Sequence, residues 1–442
     1  MESHSRKSGM RLPIFGNLLD YFHCRCHYSD KMNEGAGKEY LKRSAARKVL
    51  ELTEYYPCLL LTGARQVGKS TLLRHLLPEG MRYITLDDFQ LLDFARKDPL
   101  GFLEAHGTPL CIDEVQDAPE LFRAIKIKVD ENRRPGMYWL TGSQRFHMMK
   151  GVSETLAGRI GILDLYTLSQ KELYGEPMAE NFSPATAESG LCLGAVCSQA
   201  ELYERIFRGG YPELARTRMP WYDFFRDYVQ TYVERDVRQL TQVSNEAAFV
   251  RLMRSAAMRT GQQLVYSDLA RDAGVSPKTA AAWVSILQAS GVVELLEPYY
   301  VNSIKRLAKT PKLYFTDTGL CCWLAGWRSP ESLMESTFAG AILETWVFGQ
   351  LMRNYANAGI RPVISYYRTH DGAEVDFVIE EEAKVYPMEV KRSLSPKEAD
   401  LRWCRSLPVA SWASLQPPVL LCTMNEPRHM PFGAIAVPVS AL

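Results

Sequence analysis

The sequence lacks the features of a membrane protein, of a strongly basic protein and of a disulfide-linked one. No apolar run approaches the ~18 residues of a membrane span, and the stretch LPIFGNLL near the N-terminus is far too short. The 52 Lys and Arg residues balance 51 Asp and Glu residues, which argues against bulk attraction to nucleic acid but leaves a local basic surface open. The 10 cysteines are scattered, which favours reduced thiols in a cytoplasmic protein.

The length of 442 residues predicts two to four domains. Residues 1–39 are irregular and basic, and we expect a disordered extension there. This stretch contains HCRCH, from His23 to His27, but four ligands within so short a segment do not easily surround one zinc ion. A zinc site is therefore disfavoured. Met10 and Met32 leave open whether the residues before Met32 belong to the native protein.

A phosphate loop follows the first apolar run of the globular part. The run from Cys58 to Leu61 leads into GARQVGKS and then into a helical pattern, which is the strand–loop–helix order that this motif requires. Backbone N–H groups around the glycines and the helix N-terminus favour phosphate, so the sequence predicts ATP and Mg²⁺ as cofactors. Lys69 is expected to reach the β- and γ-phosphates, and Ser70 to ligate Mg²⁺. The residues expected at the nucleotide are Gly63, Ala64, Arg65, Gln66, Val67, Gly68, Lys69, Ser70 and Thr71.

Polar side chains end two later strands of the same region. In PLCIDEVQ, Asp113 and Glu114 follow an apolar strand about fifty residues beyond the phosphate loop. Asp113 is expected to hold Mg²⁺ through water, and Glu114 to activate the attacking water. In MYWLTGSQ, Ser143 and Gln144 end a further strand, where they are suited to sensing the γ-phosphate. The sequence therefore predicts a complete site for ATP hydrolysis.

Arg159, in ETLAGRIGILDLYTLS, precedes another strand and has two interpretations. It is either a finger that completes the nucleotide site of a neighbouring copy, or a surface cation. The first interpretation predicts a homo-oligomer.

Strands alternate with helical stretches over residues 40–177, which predicts an α/β core with a parallel sheet covered on both faces. The strands lie near Cys58, Tyr83, Leu110, Tyr138 and Ile162.

The middle of the chain predicts a lid and a winged helix. Residues 178–199 are small and polar, as in a linker, and residues 200–245 contain an amphipathic helix of a helical lid. Over residues 246–328, a helix, a turn at Gly274 and a second helix capped by Ser276 form a helix-turn-helix with two wing strands. The second helix has few base-reading side chains, so phosphate contact near the wing is favoured over sequence readout. The basic residues expected to make that contact are Lys305, Arg306, Lys309 and Lys312.

These motifs occur in one order along the chain: LLLTGARQVGKST, CIDEVQ, LTGSQ, LAGRI, GGYPEL, YVERDVRQL, GVSPKTA and EVDFVIE…YPMEVK. In this order the chain resembles the prokaryotic AAA-type ATPases that end in a domain of unknown function, from about Tyr40 to the C-terminus. The resemblance implies an AAA-type ATPase core, a winged helix and, over residues 332–442, an α/β domain similar to restriction-endonuclease-like folds.

The C-terminal hairpin pattern GAEVDFVIEEEAKVYPMEVK has two interpretations. Period two puts Glu389 and Lys391 on one face of the second strand, and Asp376 can meet them from the first. Asp376 and Glu389 are then metal ligands, and Lys391 acts on the attacking water. Glu344 lies on the apolar face of the preceding helix, where a shared metal would satisfy it. The other interpretation is a solvated hairpin, and cleavage is a separate question.

Two function classes remain open from the sequence. The first is an ATPase that couples hydrolysis to binding or processing of nucleic acid, with DNA favoured. The second is a nucleotide-controlled assembly switch whose C-terminal domain binds a partner without cutting.

Overall fold

The computed structural model describes residues 40–143, 155–174, 182–189, 196–233, 245–301 and 310–442. The expected extension over residues 1–39, Gln144 and the basic residues Lys305, Arg306 and Lys309 lie outside these ranges. Of the helices in the described ranges, none combines the length and apolar character needed to cross a membrane.

A five-stranded parallel sheet in the order β2-β3-β4-β1-β5 forms the centre of the first part of the chain. Its strands are β1 (Cys58–Thr62), β2 (Arg82–Thr85), β3 (Leu110–Asp113), β4 (Tyr138–Gly142) and β5 (Ile160–Asp164). β1, CLLLT, is buried along its whole length, as expected of a parallel strand covered on both faces. The predicted α/β core with a parallel sheet is confirmed.

Five helices cover the two faces of this sheet. Helices α3–α5 share a core with one face, and α1 and α2 share a core with the other. Their bounds are α1 (Ala46–Tyr55), α2 (Lys69–Leu76), α3 (Phe89–Lys97), α4 (Pro99–His106) and α5 (Glu120–Glu131). Because all five strands run in parallel, the loops after β1, β3, β4 and β5 meet at one edge of the sheet. The predicted nucleotide site lies at this edge.

A helical region follows the sheet. It contains α6 (Gln170–Leu173), α7 (Gln199–Arg208), α8 (Pro212–Arg216) and α9 (Trp221–Tyr232). The predicted linker is not simply a solvated connection, because Phe182 and Ala187 within it are buried in the core. The apolar face of α9 is buried as its amphipathic pattern predicts.

The next unit combines helices with a small antiparallel sheet of order β6-β8-β7. Ser276 accepts a hydrogen bond from the N–H of Thr279 and so caps the second helix of the predicted pair, while Gly274 adopts the left-handed conformation of the turn. The elements are α10 (Glu246–Ala257), β6 (Gln262–Gln263), α11 (Tyr266–Ala273), α12 (Pro277–Ala289), β7 (Val293–Leu296), β8 (Lys312–Phe315), α13 (Thr318–Ala325) and α14 (Pro330–Met334).

The C-terminal part consists of one long helix and a seven-stranded mixed sheet. The predicted hairpin forms, with Phe377 opposite Met388 in antiparallel register. The elements are α15 (Ala339–Asn357), β9 (Val363–Arg368), β10 (Glu374–Glu381), β11 (Lys384–Lys391), α16 (Arg402–Arg405), β12 (Ser414–Leu415), β13 (Val419–Cys422), β14 (Arg428–His429) and β15 (Ile435–Pro438).

Two smaller clusters contain residues of the C-terminal sheet, and one large hydrophobic core contains many of the buried side chains between Phe182 and Leu442. It includes side chains from the helical region, the unit with the small sheet and the C-terminal part. Helix α15 supplies much of it and is buried on most of its surface. Most of the chain after the five-stranded parallel sheet therefore packs around one core, and we call it the body, although its elements follow the order expected of several domains.

Candidate nucleotide and carboxylate sites

The phosphate loop joins β1 to α2 and adopts a conformation that depends on its glycines. Gly63 approaches the chain beyond β5 so closely that a Cβ atom on it would lie 2.0 Å from the carbonyl oxygen of Leu165. Gly68 has a φ of 94° and is the N-cap of α2, a conformation that a residue with a side chain rarely adopts. The loop is thus held between the sheet and the N-terminus of α2, where backbone N–H groups favour phosphate.

The ammonium group of Lys69 is turned into the phosphate loop. It donates to the carbonyl oxygens of Gly63 at 2.9 Å and of Ala64 at 2.7 Å. The Lys69 side chain is buried, so its charge is already positioned where phosphate oxygens would replace these carbonyls as acceptors.

Arg43 supports the loop from outside and was not identified from the sequence. Its buried guanidinium donates to the carbonyl oxygens of Val67 at 2.6 Å and of Tyr166 at 2.7 Å, and pairs with Glu172 at 3.0 Å. Glu172 also completes a capping box with Ser169, and the pattern S-x-x-E was a readable sign of that helix start. No motif near Arg43 in the sequence indicated that this residue supports the phosphate loop.

Asp113 is the last residue of β3 and Glu114 follows it, close enough to Lys69 of the phosphate loop for its charge to act on the Glu114 carboxyl. Asp113 is buried and accepts a hydrogen bond from the Tyr83 hydroxyl. Glu114 has a φ of 56° and accepts a hydrogen bond from Gln116 at 2.6 Å. Burial raises the pKa of the Glu114 carboxyl above its ordinary value, against the lowering effects of Gln116 and of the nearby Lys69. A carboxylate with a raised pKa is suited to accept a proton from water.

Ser143 lies at the carboxyl end of β4, next to the strand that carries the phosphate loop. Its side chain is buried, and no residue in the described ranges forms a hydrogen bond with its hydroxyl. A buried hydroxyl without a partner costs free energy, so a ligand oxygen at this edge would satisfy it. The position fits the predicted sensing role, whereas Gln144 lies outside the described residues.

Arg159 lies at the opposite edge of the sheet from its own phosphate loop, because it immediately precedes β5. Its guanidinium forms two hydrogen bonds with Asp130, at 2.6 and 3.1 Å. Arg159 therefore does not contact the nucleotide site of its own chain, and a role as a finger requires a neighbouring copy.

The phosphate loop touches the unit with the small sheet. Gly291, in the turn between α12 and β7, lies so near that a Cβ atom on it would be 3.4 Å from the Ala64 nitrogen. Thr316 donates to the Gly291 carbonyl oxygen at 2.7 Å and holds this turn in place. The cavity left between loop and turn is about 20 Å³, which has room for about one water molecule.

Arg353 on α15 joins the segment after β5 to the segment after β8. It donates to the Thr167 carbonyl oxygen at 3.1 Å and to the Thr316 carbonyl oxygen at 2.8 Å. Its guanidinium is buried, and this burial lowers its pKa, opposed by the nearby Asp317. Gln350 adds a contact one turn earlier, since its side-chain oxygen accepts from the Gln170 N–H at 3.0 Å. Neither residue was recognisable in the sequence, because both are polar residues on a helix read as part of a separate domain.

A second group of charged residues lies where α15 meets the C-terminal sheet. Glu344 accepts hydrogen bonds from Lys312 at 2.9 Å and from the Tyr314 hydroxyl at 2.5 Å. Burial raises the pKa of Glu344 to about 7, with a further contribution from Asp376. One prediction is wrong here, because Lys312 is buried and paired with Glu344 and Glu374 instead of facing phosphate. Glu344 is held by this lysine and a tyrosine, and its role at a metal ion stays a prediction.

The remaining predicted residues of this group converge as the hairpin register requires. Asp376 accepts from the Val390 N–H at 2.8 Å, and Lys391 donates to Glu389 at 2.5 Å. The other carboxyl oxygen of Glu389 is buried and has no hydrogen-bond partner within the described ranges. Burial raises the pKa of Glu389 to about 8, and Asp376 adds to this effect. In the part of the chain that the structure describes, no group of three or more His, Cys, Asp and Glu side chains is arranged to hold a metal ion.

The sheet order, the phosphate loop and the acids after β3 define a P-loop ATPase. A family model described as "AAA domain" matches residues 55–174, so the class is an AAA-type ATPase. Two models described as domains of unknown function, DUF8612 and DUF4143, match residues 199–331 and 339–442.

Two mycobacterial proteins resemble most of the chain. "Uncharacterized protein Rv2008c" of Mycobacterium tuberculosis and "Uncharacterized protein Mb2031c" of Mycobacterium bovis are each 31% identical over 362 residues, covering 80% of this chain and 75% of theirs. The chain belongs to the family of these proteins, with an AAA-type ATPase core. Among solved structures, RuvB of Thermotoga maritima matches with 18% identity and a TM-score of 0.28 over 57% of this chain and 88% of that chain, a score too low to bear on fold or function.

Proposed function

We propose that this protein is a Mg²⁺-dependent ATPase that couples ATP binding and hydrolysis to the binding of nucleic acid, with DNA favoured, through the body that follows its ATPase core. The observation that carries the proposal is the contact between Ala64 in the phosphate loop and the turn at Gly291. Because interiors are close-packed, a loop that rearranges around phosphate displaces the turn that lies against it. Val292, the next residue, belongs to the large hydrophobic core of the body, which gives a displaced turn a packed connection to the rest of it.

Each residue at the edge of the ATPase sheet has a role in hydrolysis. Lys69 and the loop N–H groups hold the phosphates, Ser143 senses the γ-phosphate, and Glu114 accepts the proton of the attacking water. Ser70 and Asp113 are the residues that would hold Mg²⁺, which supplies neutralisation of phosphate charge when bound. The carboxylate of Asp113, buried at the end of β3, has the hard oxygen ligands that suit that ion.

The unit over residues 246–328 is proposed to be a winged helix. The order helix, strand, helix, helix, strand, strand and the small antiparallel sheet support this assignment. Its second helix, α12, is not free for base readout along its length, because Ser285 and Gln288 line a cavity of about 620 Å³ against β5 of the ATPase sheet. Nucleic acid is therefore expected on another face of the body.

The experiment that tests this function is an ATP-turnover assay on the full chain, with and without single-stranded, duplex and branched DNA. DNA that binds the body should change the turnover rate, because the body contacts the phosphate loop. Lys69→Ala serves as the control for contaminating ATPase. Turnover that is the same with every DNA would contradict the coupling.

The C-terminal domain is proposed to resemble restriction-endonuclease-like folds, with Asp376 and Glu389 as the pair that binds a divalent metal. The partnerless oxygen of Glu389 supports a cation site, and Lys391 is proposed to act on the attacking water. Millimolar Mg²⁺ or Mn²⁺ should raise the unfolding temperature of the full chain in the Lys69→Ala background, where the nucleotide site is disabled. In a variant that also carries both Asp376→Ala and Glu389→Ala, the metal ions should no longer raise the unfolding temperature.

A second candidate is the assembly switch with a C-terminal domain that binds without cutting. It is favoured by the lysines at the carboxylates, since Lys312 pairs with Glu344 and Lys391 pairs with Glu389. These pairs neutralise charge that a metal would otherwise neutralise. Absence of a metal response, together with no cleavage of any DNA or RNA, would favour this candidate.

A further inference from the structure

An open cavity of about 780 Å³ lies on the surface formed by α9, α10 and the end of α13. Its walls combine aromatic rings with guanidinium groups, and these residues belong neither to the nucleotide site nor to the carboxylate site. The aromatic residues are Trp221, Tyr222, Trp323 and Trp327, and the basic ones are Arg251, Arg254, Arg259 and Arg328.

Two of the aromatic rings that line this cavity are stacked on other rings. Trp221 stacks on Phe207 with centroids 4.3 Å apart, and Trp327 stacks on Phe338 with centroids 5.9 Å apart. Tyr222 is 62% exposed at the mouth of the cavity. Rings fixed in this way offer flat surfaces to a planar ligand with little loss of side-chain freedom on binding.

The polar groups of the cavity favour an anionic ligand. Asp272 is the one acid among the described residues that line it, and it is occupied by Arg259 at 2.7 Å and by the Ser255 hydroxyl at 2.7 Å. Arg254 and Arg328 are exposed and have no ion-pair partner in the described ranges. The charge that remains is therefore positive.

Three of the rings that line the cavity have indole N–H groups without an acceptor in the described residues. The indole N–H groups of Trp221, Trp323 and Trp327 are buried and have no acceptor in the parts of the chain that the structure describes. Buried indole N–H groups usually have a partner, so these three rings are an unusual feature of the walls.

We propose that this cavity binds single-stranded nucleic acid, with phosphates at Arg254 and Arg328 and a base stacked on Tyr222. Aromatic platforms beside arginines are the combination with which proteins hold unpaired bases and their backbone. An acidic polypeptide would satisfy the arginines, but its carboxylates give the rings no planar partner. The inference rests on the proposed nucleic-acid function and names the surface that performs it.

Helix α9 connects this cavity to the nucleotide site. Trp221 and Tyr222 form its first turn at the cavity, and the hydroxyl of Tyr232 in its last turn lies 2.6 Å from that of Ser290. Ser290 adjoins Gly291, which contacts the phosphate loop. Helix α9 thus extends from the proposed surface for single-stranded nucleic acid to the turn that contacts the phosphate loop.

The test measures binding of a fluorescein-labelled oligothymidylate to the full chain by fluorescence anisotropy, with oligouridylate and duplex DNA as further probes. Tyr222→Ala should weaken oligothymidylate binding about tenfold through lost stacking. Arg254→Glu should weaken it at least as much and reduce the dependence of affinity on salt, because a phosphate contact is lost. Both side chains are exposed, and the unfolding temperature of each variant should match that of the wild type.

Matched controls come from the ATPase core. Tyr55→Ala removes an aromatic ring that is 69% exposed on α1, and Arg123→Glu reverses an exposed charge on α5. Both should bind oligothymidylate as the wild type does. Equal losses in the controls would mean a general charge or surface effect and would overturn the proposal.

The remaining outcomes separate this inference from the proposed function. Wild-type affinity in both cavity variants, with ATP turnover still responding to DNA, would overturn the cavity assignment and leave the proposed function standing. Absence of binding to all three probes would reject the nucleic-acid function itself. Polyglutamate that binds the wild type and not the cavity variants, while oligothymidylate does not compete, would assign the cavity to acidic proteins instead.

Discussion

The hydroxyl oxygen of Tyr232 lies 2.6 Å from the hydroxyl oxygen of Ser290, deep between α9 and the turn that follows α12. Ser290 donates its hydroxyl proton to the Ile286 carbonyl oxygen at 2.8 Å, so Tyr232 is the donor to Ser290. This hydrogen bond joins the turn to the helical region. Since the neighbouring Gly291 contacts the phosphate loop, the pair lies on a packed connection from this loop to α9.

The first prediction concerns this pair. Tyr232→Phe removes the hydroxyl and should lower the free energy of unfolding by about 1 kcal/mol. In this variant, ATP turnover with DNA should approach the rate measured without DNA. Tyr203→Phe is the matched control, since it removes a buried hydroxyl that donates to the Ala339 carbonyl oxygen at 2.9 Å, away from the phosphate loop. Turnover assays with and without DNA measure both variants. If the two lose the DNA response equally, the Tyr232 contact does not carry the coupling.

The second prediction separates nucleotide binding from hydrolysis. Lys69→Ala removes the ammonium group of the loop and should abolish binding of a fluorescent ATP analogue. Glu114→Gln keeps the size of the side chain but cannot accept the proton of water, so binding should persist while phosphate release falls by about 10²–10⁴-fold. A Glu114→Gln variant that turns over at the wild-type rate would show that another group is the base.

The third prediction concerns assembly through Arg159. Arg159→Ala should slow hydrolysis far more than it weakens ATP binding, because a finger acts on charge in the transition state of a neighbour. Mixing Arg159→Ala with Lys69→Ala should restore part of the activity, since a mixed interface pairs one intact site with one intact arginine. Asp130→Ala is the control, because it frees Arg159 from its ion pair without removing it and should keep activity. Full activity of a strictly monomeric protein would contradict the finger.

The fourth prediction follows from the raised pKa of Glu389. Folding raises this pKa from 4.5 to about 8, so between these values the folded state binds more protons than the unfolded state. The stabilisation is complete below the lower value and is lost as the pH rises through the upper one. The unfolding temperature in metal-free buffer should therefore fall over this range, and it should fall less in Glu389→Gln. Glu382→Gln, exposed in the turn of the same hairpin, should behave as the wild type; identical profiles for both variants would disprove the assignment.

The features that the sequence alone determined are those that depend on neighbours along the chain. The phosphate loop requires glycine at fixed spacing from Lys69, and Asp113 with Glu114 ends a buried strand, so both were readable before any tertiary contact was known. The hairpin of β10 and β11 was readable for the same reason, because alternation and a short turn fix which residues face each other. The end of α11 at Gly274 and the cap of α12 at Ser276 depend on single residues with special backbone or hydrogen-bonding properties.

Only the tertiary structure decided which distant groups satisfy each buried charge. From the sequence, Lys312 was expected to contact phosphate and Glu344 to bind a metal ion. In the folded protein the two form an ion pair with each other. Arg43 and Arg353 hold carbonyl oxygens from strands and loops far away in the chain, and no local pattern encodes such contacts. The partners of a buried charge are set by packing in three dimensions, because its desolvation cost is offset by whichever opposite charges and acceptors the fold brings within reach.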